Sequence, residues 1–155
     1  MDILIRLKGN NIFEVLLLML FIYPVSLFSQ IATVRVDRSN RYNIIFGANY
    51  PLPFEVNLKE RFNPSDEDVK KGEVILREFS DLKLRKYIRQ YLGYIDSNNN
   101  KILVVNMLKD LGAKKNKLYY KDWESEFILG FGRIYERNTL TQRINLATKE
   151  LMGTF

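Results

Sequence analysis

The stretch Tyr87–Leu108, which reads YIRQYLGYIDSNNNKILVVNML, predicts a β-hairpin. In residues 91–95, Tyr91, Gly93 and Ile95 alternate with Leu92 and Tyr94, and residues 102–105 form a largely β-branched apolar run, as expected of two strands. Residues 96–100 between them all favour turns, and asparagine tolerates the left-handed backbone that tight hairpins require. We therefore expect this hairpin to form the centre of the fold.

One amphipathic helix is predicted upstream of the hairpin. Residues 63–68, NPSDED, supply a cap residue, a proline suited to the first turn and three acids where the helix dipole favours negative charge. Either Asn63 or Ser65 can serve as the N-cap. Apolar or small residues then recur at helical spacing, namely Val69, Gly72, Ile75, Leu76 and Phe79. Gly72 costs the helix about 1 kcal/mol relative to alanine, which is tolerable where another element packs closely.

Strand patterns flank these two elements. An N-terminal hairpin is predicted from residues 31–37 and 42–48, and residues 49–63 are predicted to run extended along the core or a sheet edge. Pro51 and Pro53 argue against a central strand there. Residues 80–90 fit either a helical stripe or a strand that begins early.

The C-terminal third has weaker local signals. Residues 109–122 lack an apolar period and are predicted to form a polar surface loop. Residues 127–135, with two glycines that indicate a bulge or a close backbone approach, and residues 141–147 are predicted strands. The tail to Phe155 is expected to add a helical turn or to remain loose.

The order of these elements favours an α+β fold over a parallel α/β arrangement, because one helix precedes consecutive strands. We expect an antiparallel sheet of about four to six strands with one main helix packed across it, in outline of the cystatin or NTF2-like kind. A likeness at this level implies no function.

The composition excludes several kinds of active site. The 155 residues include no cysteine and no histidine. A disulfide framework, a thiolate metal site, a cysteine nucleophile and an imidazole base are therefore impossible. Any catalysis would use carboxylates, Lys, Tyr, Ser or Thr, or a borrowed cofactor.

The first 29 residues are predicted to be a secretory signal peptide. Arg6 and Lys8 precede the apolar run Val15–Tyr23, and the run ends at Pro24 and is followed by small residues up to Ser29. We expect export, cleavage near Ser29 and a single globular domain over residues 30–155. An uncleaved membrane anchor is the main alternative, although the run is shorter than the ~20 apolar residues of a spanning helix.

A basic surface is the first candidate for binding. The chain has a formal net charge of +6, and its cations cluster among tyrosines and in the 109–122 segment. Such residues can bind an anionic glycan, lipid or nucleic acid, although solvated cations beside half-buried tyrosines need no ligand. The candidates are Lys83, Arg85, Lys86, Arg89, Lys114, Lys115 and Lys117.

An acidic cluster is the second candidate. Asp122, Glu124 and Glu126 alternate with Trp123 and Ser125, so in a strand the three carboxylates would share one face. Adjacent carboxylates could raise one another's pKa or hold a hard cation. The alternative is a solvent-facing strand entry with Trp123 anchored in the core.

The hairpin sequence also resembles a known group. Residues 87–96 and 101–107, followed by Trp123 and the glycine-containing stretch to Tyr135, are similar to small exported Bacteroidetes-type proteins. That group shares a Lys-Tyr-x-Arg-Gln-Tyr-x-Gly-Tyr-Ile segment, a turn and a Lys-Ile-Ile-Tyr-Ile-Asn strand. The resemblance covers roughly residues 62–147 and implies a helix packed on an antiparallel sheet, with no activity attached. Residues 130–132 read Gly-Phe-Gly, where the group tends to carry Gly-Gly-Ser followed by aromatics.

Three functions remain open. The first is a non-enzymatic exported domain that binds a protein or envelope component through a sheet face or the 109–122 loop. The second is a binder of an anionic surface through the basic and tyrosine residues, and the third is a carboxylate-dependent glycan hydrolase. No cofactor or metal is predicted, and no transmembrane span is expected after signal cleavage.

Overall fold

The computed structural model describes residues 33–36 and 42–153. The predicted signal peptide lies outside these residues. The strands are β1 (Thr33–Val36), β2 (Tyr42–Ile45), β3 (Leu58–Phe62), β4 (Tyr87–Asp96), β5 (Lys101–Lys109), β6 (Thr139–Asn145) and β7 (Glu150–Leu151). The helices are α1 (Asp66–Phe79), α2 (Ala113–Tyr119) and α3 (Arg133–Asn138), with a 3₁₀ turn at Leu84–Lys86.

One mostly antiparallel sheet contains all the described strands. Six of them follow the order β1-β2-β4-β5-β6-β7, and β3 is a seventh that pairs with β4 off this path. β2 runs parallel to the first half of β4, whereas β3 runs antiparallel to its second half. The α+β class and the single main helix packed on an antiparallel sheet are confirmed.

The central hairpin forms as predicted. β4 and β5 pair continuously from Tyr87 opposite Lys109 to Ile95 opposite Lys101. In the turn, Asp96 Oδ1 accepts the backbone N–H groups of Asn98 at 2.9 Å and Asn100 at 2.8 Å. Asn99 has the positive φ of 63° that the turn requires.

Helix α1 starts with a capping box that selects Ser65 over Asn63 as the N-cap. The Ser65 hydroxyl accepts the Asp68 N–H, and the Asp68 carboxylate accepts the Ser65 N–H at 3.0 Å. Asp68 also pairs with Lys101 of β5 at 2.9 Å, which ties the start of the helix to the sheet. Gly72 lies where a Cβ atom would be 2.5 Å from Leu103 Cδ2, so the expected close packing is present.

Both faces of the central strands are covered. In β4 and β5, residues 88–94 and 102–108 are buried without interruption, as in a sheet packed on two sides. Helix α1 covers one face through Ile75 and Leu76. The extended segment that was predicted to follow the core covers part of the other face with Tyr50, Leu52, Phe54, Val56 and Leu58.

Several predictions for the C-terminal third are wrong. The predicted 109–122 loop contains α2, and the predicted strand over 127–135 is irregular chain followed by α3. The ring of Tyr135 packs on Gly130 where a Cβ would lie, which confirms the predicted close approach at this glycine. The strand predicted at 141–147 forms at 139–145 as β6. The tail then adds the short strand β7 instead of a helical turn.

A Gly93→Ala substitution tests the close pairing of β3 with β4. A Cβ at Gly93 would lie 2.8 Å from the Phe62 carbonyl oxygen and 2.7 Å from its ring, so the backbone must move. We expect a loss of about 1–3 kcal/mol in the free energy of unfolding, measured by urea denaturation. Ser97→Ala in the exposed turn is the control, and an unchanged stability for Gly93→Ala would contradict the close approach of Phe62 to Gly93.

Candidate functional site

The segment 110–138 covers one end of the second sheet face and is termed here the capping segment. It comprises α2, a turn over residues 121–126, the irregular stretch 127–132 and α3. Its buried contacts converge on Ile88 and Leu108 of the hairpin and on Tyr120, with Tyr119, Trp123, Ile128 and Tyr135 packed around them. The capping segment is therefore docked on the sheet by an aromatic cluster.

A row of polar side chains crosses the apolar sheet beneath this segment. Gln90, Asn106 and Thr141 lie opposite one another on β4, β5 and β6. Asn106 Nδ2 donates to Gln90 Oε1 at 3.0 Å, and Thr141 Oγ1 donates to Asn106 Oδ1 at 3.0 Å. We term this row the amide ladder.

The amide ladder holds the main chain of the capping segment. Gln90 Nε2 donates to the carbonyls of Trp123 and Glu126, each at 2.7 Å, and Gln90 Oε1 accepts the Ile128 N–H at 2.9 Å. Asn106 Nδ2 donates to the Ile128 carbonyl at 2.7 Å. Within the predicted strand 127–135, these bonds occupy both backbone groups of Ile128, which are therefore not available for pairing with another strand.

Helix α2 begins without a side-chain cap at Gly112 and is anchored from within instead. Asp110 Oδ1 accepts the Gly112 N–H at 3.0 Å and Asn116 Nδ2 at 2.9 Å. Asn116 Oδ1 accepts the Leu111 N–H at 2.9 Å. The exchange of bonds between Asp110 and Asn116 therefore fixes the entry to the helix.

A cleft of about 760 Å³ opens between α2 and the 121–126 turn, and we term it the α2 cleft. Buried Ile88, Asn116 and Tyr120 form part of its lining, and Trp123 contributes an aromatic surface. Charged side chains of both signs complete it, namely Asp110, Lys117, Lys121, Asp122 and Glu124. The cleft thus joins an apolar lining to groups that can bind cations, anions and hydroxyls.

Tyr120 is fully buried at the base of the capping segment. Its hydroxyl contacts the carbonyls of Lys109 at 3.2 Å and Asn138 at 3.3 Å. Burial, with nearby Tyr135, Asp110 and Tyr87 adding to the effect, raises the pKa of Tyr120 to about 12. The phenol therefore stays protonated at neutral pH and acts as a donor.

The acidic cluster differs from its prediction. Asp122, Glu124 and Glu126 do not share a strand face, because residues 121–126 form a tight turn and Asp122 has a φ of 58°. The N–H groups of Ser125 and Glu126 donate to the Asp122 carbonyl at 2.9 and 2.7 Å. All three acids are exposed, and Asp122 and Glu124 line the α2 cleft whereas Glu126 does not. Trp123 packs on two core clusters, as the alternative prediction required.

The two predicted basic groups lie at the same end of the sheet. Lys83, Arg85 and Lys86 are exposed around the 3₁₀ turn, and Lys114, Lys115 and Lys117 are exposed on α2. The Asp110 N–H donates to the Lys86 carbonyl at 2.8 Å, which places the 3₁₀ turn beside the start of the capping segment.

Arg89 does not belong to this basic surface, contrary to its grouping by sequence. Its side chain is 2% exposed, and Nε lies 2.7 Å from Glu73 Oε1 of α1. Tyr91 OH donates to the same carboxylate oxygen at 2.7 Å, and Arg89 Nη1 donates to the Leu84 carbonyl at 2.8 Å. Burial raises the pKa of Tyr91 well above its ordinary value, although the charge of Arg89 opposes this. Arg89 thus joins the helix to the sheet and is inaccessible to a surface ligand.

Sequence reasoning missed the most buried members of the site. Gln90, Asn106 and Tyr120 were not singled out, although Gln90 and Asn106 are each a lone amide inside an apolar strand. A buried amide needs a hydrogen-bond partner. Two amides on paired strands could therefore have indicated that a polar segment packs on this face of the sheet. No three acidic side chains that could hold a metal ion come together in the described ranges 33–36 and 42–153.

Comparisons with protein-family models, curated proteins and solved structures gave no match to this chain. Among the residues described by the structure, no helix is both long enough and apolar enough to cross a membrane.

A Gln90→Leu substitution tests the amide ladder. It leaves the carbonyls of Trp123 and Glu126 and the Ile128 N–H without their buried partner. We expect a loss of about 3 kcal/mol or more in the free energy of unfolding, with a red shift of Trp123 emission as the turn detaches. Gln142→Leu on β6 is the control, and wild-type emission in Gln90→Leu would contradict this anchoring.

Alkaline titration tests the burial of Tyr120. Its pKa is about 12 in the folded chain against an ordinary value of 10.0, so the stability that the neutral phenol contributes is complete below pH 10 and is lost as the pH rises to about 12. We expect Tyr120→Phe to flatten the fall of stability over that interval in urea denaturation, whereas Ser97→Ala in the exposed hairpin turn keeps it. An identical slope in wild type and Tyr120→Phe would contradict the shift.

Proposed function

We propose that this protein is a non-enzymatic exported domain that binds an envelope component in the α2 cleft. The observation that carries the proposal is the cleft itself, an apolar and aromatic hollow of about 760 Å³ rimmed by charges of both signs. Its volume lies within the roughly 300–1,000 Å³ of ordinary ligand sites. Export rests on the basic and apolar pattern of residues 1–29.

Of the two contact surfaces predicted from the sequence, a sheet face and the 109–122 region, the second agrees with binding in the α2 cleft. Residues 88–94 and 102–108 of the central strands are buried on both faces, so the hairpin offers no open sheet face to a partner. The 109–122 region, which was the other predicted contact surface, supplies most of the cleft lining. The amide ladder and Tyr120 hold that lining in place before a ligand arrives, which lowers the ordering cost of binding.

The chemistry of the lining indicates the kind of ligand. Trp123 offers an apolar ring, Asp122 and Glu124 can accept hydroxyl or amine protons, and Lys117 and Lys121 can pair with carboxylates. A ligand with apolar ring faces and groups of both charges matches this set. Cell-wall glycan fragments that carry short peptides have all of these groups.

The carboxylates of the α2 cleft are poorly arranged for a glycan hydrolase. A hydrolase of this class needs two carboxylates that flank the bond to be cleaved. Asp122 and Glu124 come from one turn, and the Asp110 carboxylate across the cleft is held by Gly112 and Asn116. We therefore propose binding without hydrolysis.

Trp123 is the single tryptophan of the chain and lines the α2 cleft, so its fluorescence reports on the cleft. Titration of the full chain with soluble disaccharide-peptide fragments of cell wall is expected to give a saturable change in Trp123 emission. A paired Lys117→Gln, Glu124→Gln variant is expected to weaken binding about tenfold or more, because two charged contacts are removed.

The matched control is Lys71→Gln with Glu78→Gln, two exposed positions of α1. It removes the same charges and leaves the cleft intact. An emission change that is absent in the wild type, or equal in both variants, would overturn the proposal.

A further inference from the structure

A second surface of the capping segment combines protruding apolar side chains with cations. Phe131 is 94% exposed and Leu118 is 70% exposed, and Leu129 and Ile134 are also exposed. Single exposed apolar residues are ordinary, but these four belong to adjoining elements. Tyr135 OH donates to the Tyr119 carbonyl at 2.8 Å, which joins α3 to the end of α2 beside Leu118.

Cations neighbour these apolar side chains on both helices. On α2, Lys114 and Lys115 precede Leu118 by four and three residues and so share its side of the helix. On α3, Arg133 and Arg137 bracket Ile134, with Glu136 as the opposing charge. Leu, Ile and Phe side chains set among Lys and Arg are typical of segments that lie in the interface of an anionic bilayer.

The charge of the described chain is concentrated at this end of the sheet. Residues 81–87 and 109–138 contain ten lysines and arginines, all exposed, against six acids, whereas the rest of 42–153 contains nine of each. The excess positive charge of residues 42–153 therefore lies here, and it directs this end toward an anionic surface. The ten cations are Lys83, Arg85, Lys86, Lys109, Lys114, Lys115, Lys117, Lys121, Arg133 and Arg137.

We propose that this surface docks the domain on an anionic lipid bilayer, with Leu118, Phe131 and Ile134 entering the headgroup and acyl boundary. The geometry favours a bilayer over a protein or a nucleic acid. Phe131, which is 94% exposed, protrudes from the surface and can enter a lipid layer. Aliphatic side chains such as Leu118 and Ile134 have no stacking role on a base. This docking is independent of the ligand of the α2 cleft.

The absence of cysteine allows a test on the full chain that the apolar N-terminal segment does not confound. A Phe131→Cys variant labelled with an environment-sensitive fluorophore is mixed with vesicles of phosphatidylglycerol and phosphatidylcholine, or of phosphatidylcholine alone. We expect a blue shift and quenching by nitroxide lipids with the anionic vesicles only, weakening as salt is raised. The same label at Asn98→Cys, in the turn at the opposite end of the hairpin, is expected to remain in water.

The contribution of charge is tested in the labelled chain by replacing Lys114, Lys115 and Arg137 with glutamine. Each cation near an anionic membrane contributes about fivefold to affinity, so the loss of three is expected to weaken binding on the order of a hundredfold. Lys70, Lys71 and Lys149, exposed positions away from the capping segment, give the control triple with equal net charge.

Three results would overturn the proposal. The first is vesicle binding without a change at position 131, which would assign attachment to another part of the chain. The second is an equal loss of affinity in the two triple variants. The third is salt-sensitive binding to heparin with no response to anionic vesicles, which would assign the cations to a polyanion.

Discussion

A buried row of hydrogen bonds across the sheet determines where the capping segment lies. Gln90 uses both of its amide hydrogens and accepts two further bonds, and its partners include three main-chain groups of residues 123–128. Because a buried amide is costly when unpaired, the segment has one position that satisfies it and many that do not. The aromatic cluster around Tyr120 supplies burial energy, but hydrophobic contact alone would not fix the direction of the main chain.

The opposite face of β4 uses a charged version of the same arrangement. Arg89 and Tyr91 both bond Glu73 of α1, and Arg89 also bonds the carbonyl of Leu84. Removing one partner would leave a buried charge unpaired. The position of the helix on the sheet is therefore fixed by these bonds as well as by its apolar stripe. Alternate residues of one strand thus position the helix on one side and the capping segment on the other.

Much of the fold could be predicted from the sequence because its signals are local. The turn at residues 96–100, the capping residues Ser65 and Asp68 of α1 and the extended segment over residues 49–63 are each specified within a few positions of the chain. The capping segment lacked such signals, since its conformation depends on Gln90 and Asn106, which lie far away in sequence. Its glycines and aromatic residues read as a strand, whereas the structure uses Gly130 to accommodate the Tyr135 ring.

The candidate site was foreseen in its members but not in its arrangement. Lys117, Asp122 and Glu124 were predicted in two separate groups, and the turn that brings them into one cleft was read as a strand. Arg89 shows the opposite failure, because composition cannot distinguish a buried arginine from an exposed one. The spacing of charged residues in the sequence identifies the candidates for a binding surface. Their contacts with other helices and strands determine which of them face solvent.

Both β2 and β3 pair with the same edge of β4, and this arrangement affects the order in which the strands assemble. β4 and β5 are joined by a short turn, so this hairpin forms from contacts that are close in sequence, whereas β5 and β6 pair across the whole capping segment. The parallel pairing of Ile44 with Gln90 spans the whole of β3 and α1 and requires a larger loss of chain entropy. We expect the β1–β2 hairpin to join last, so a partly folded chain would expose the first half of β4 as an unpaired edge. Such an edge is open to strand exchange between molecules, and the speed at which the N-terminal hairpin docks would then govern the yield of monomeric protein.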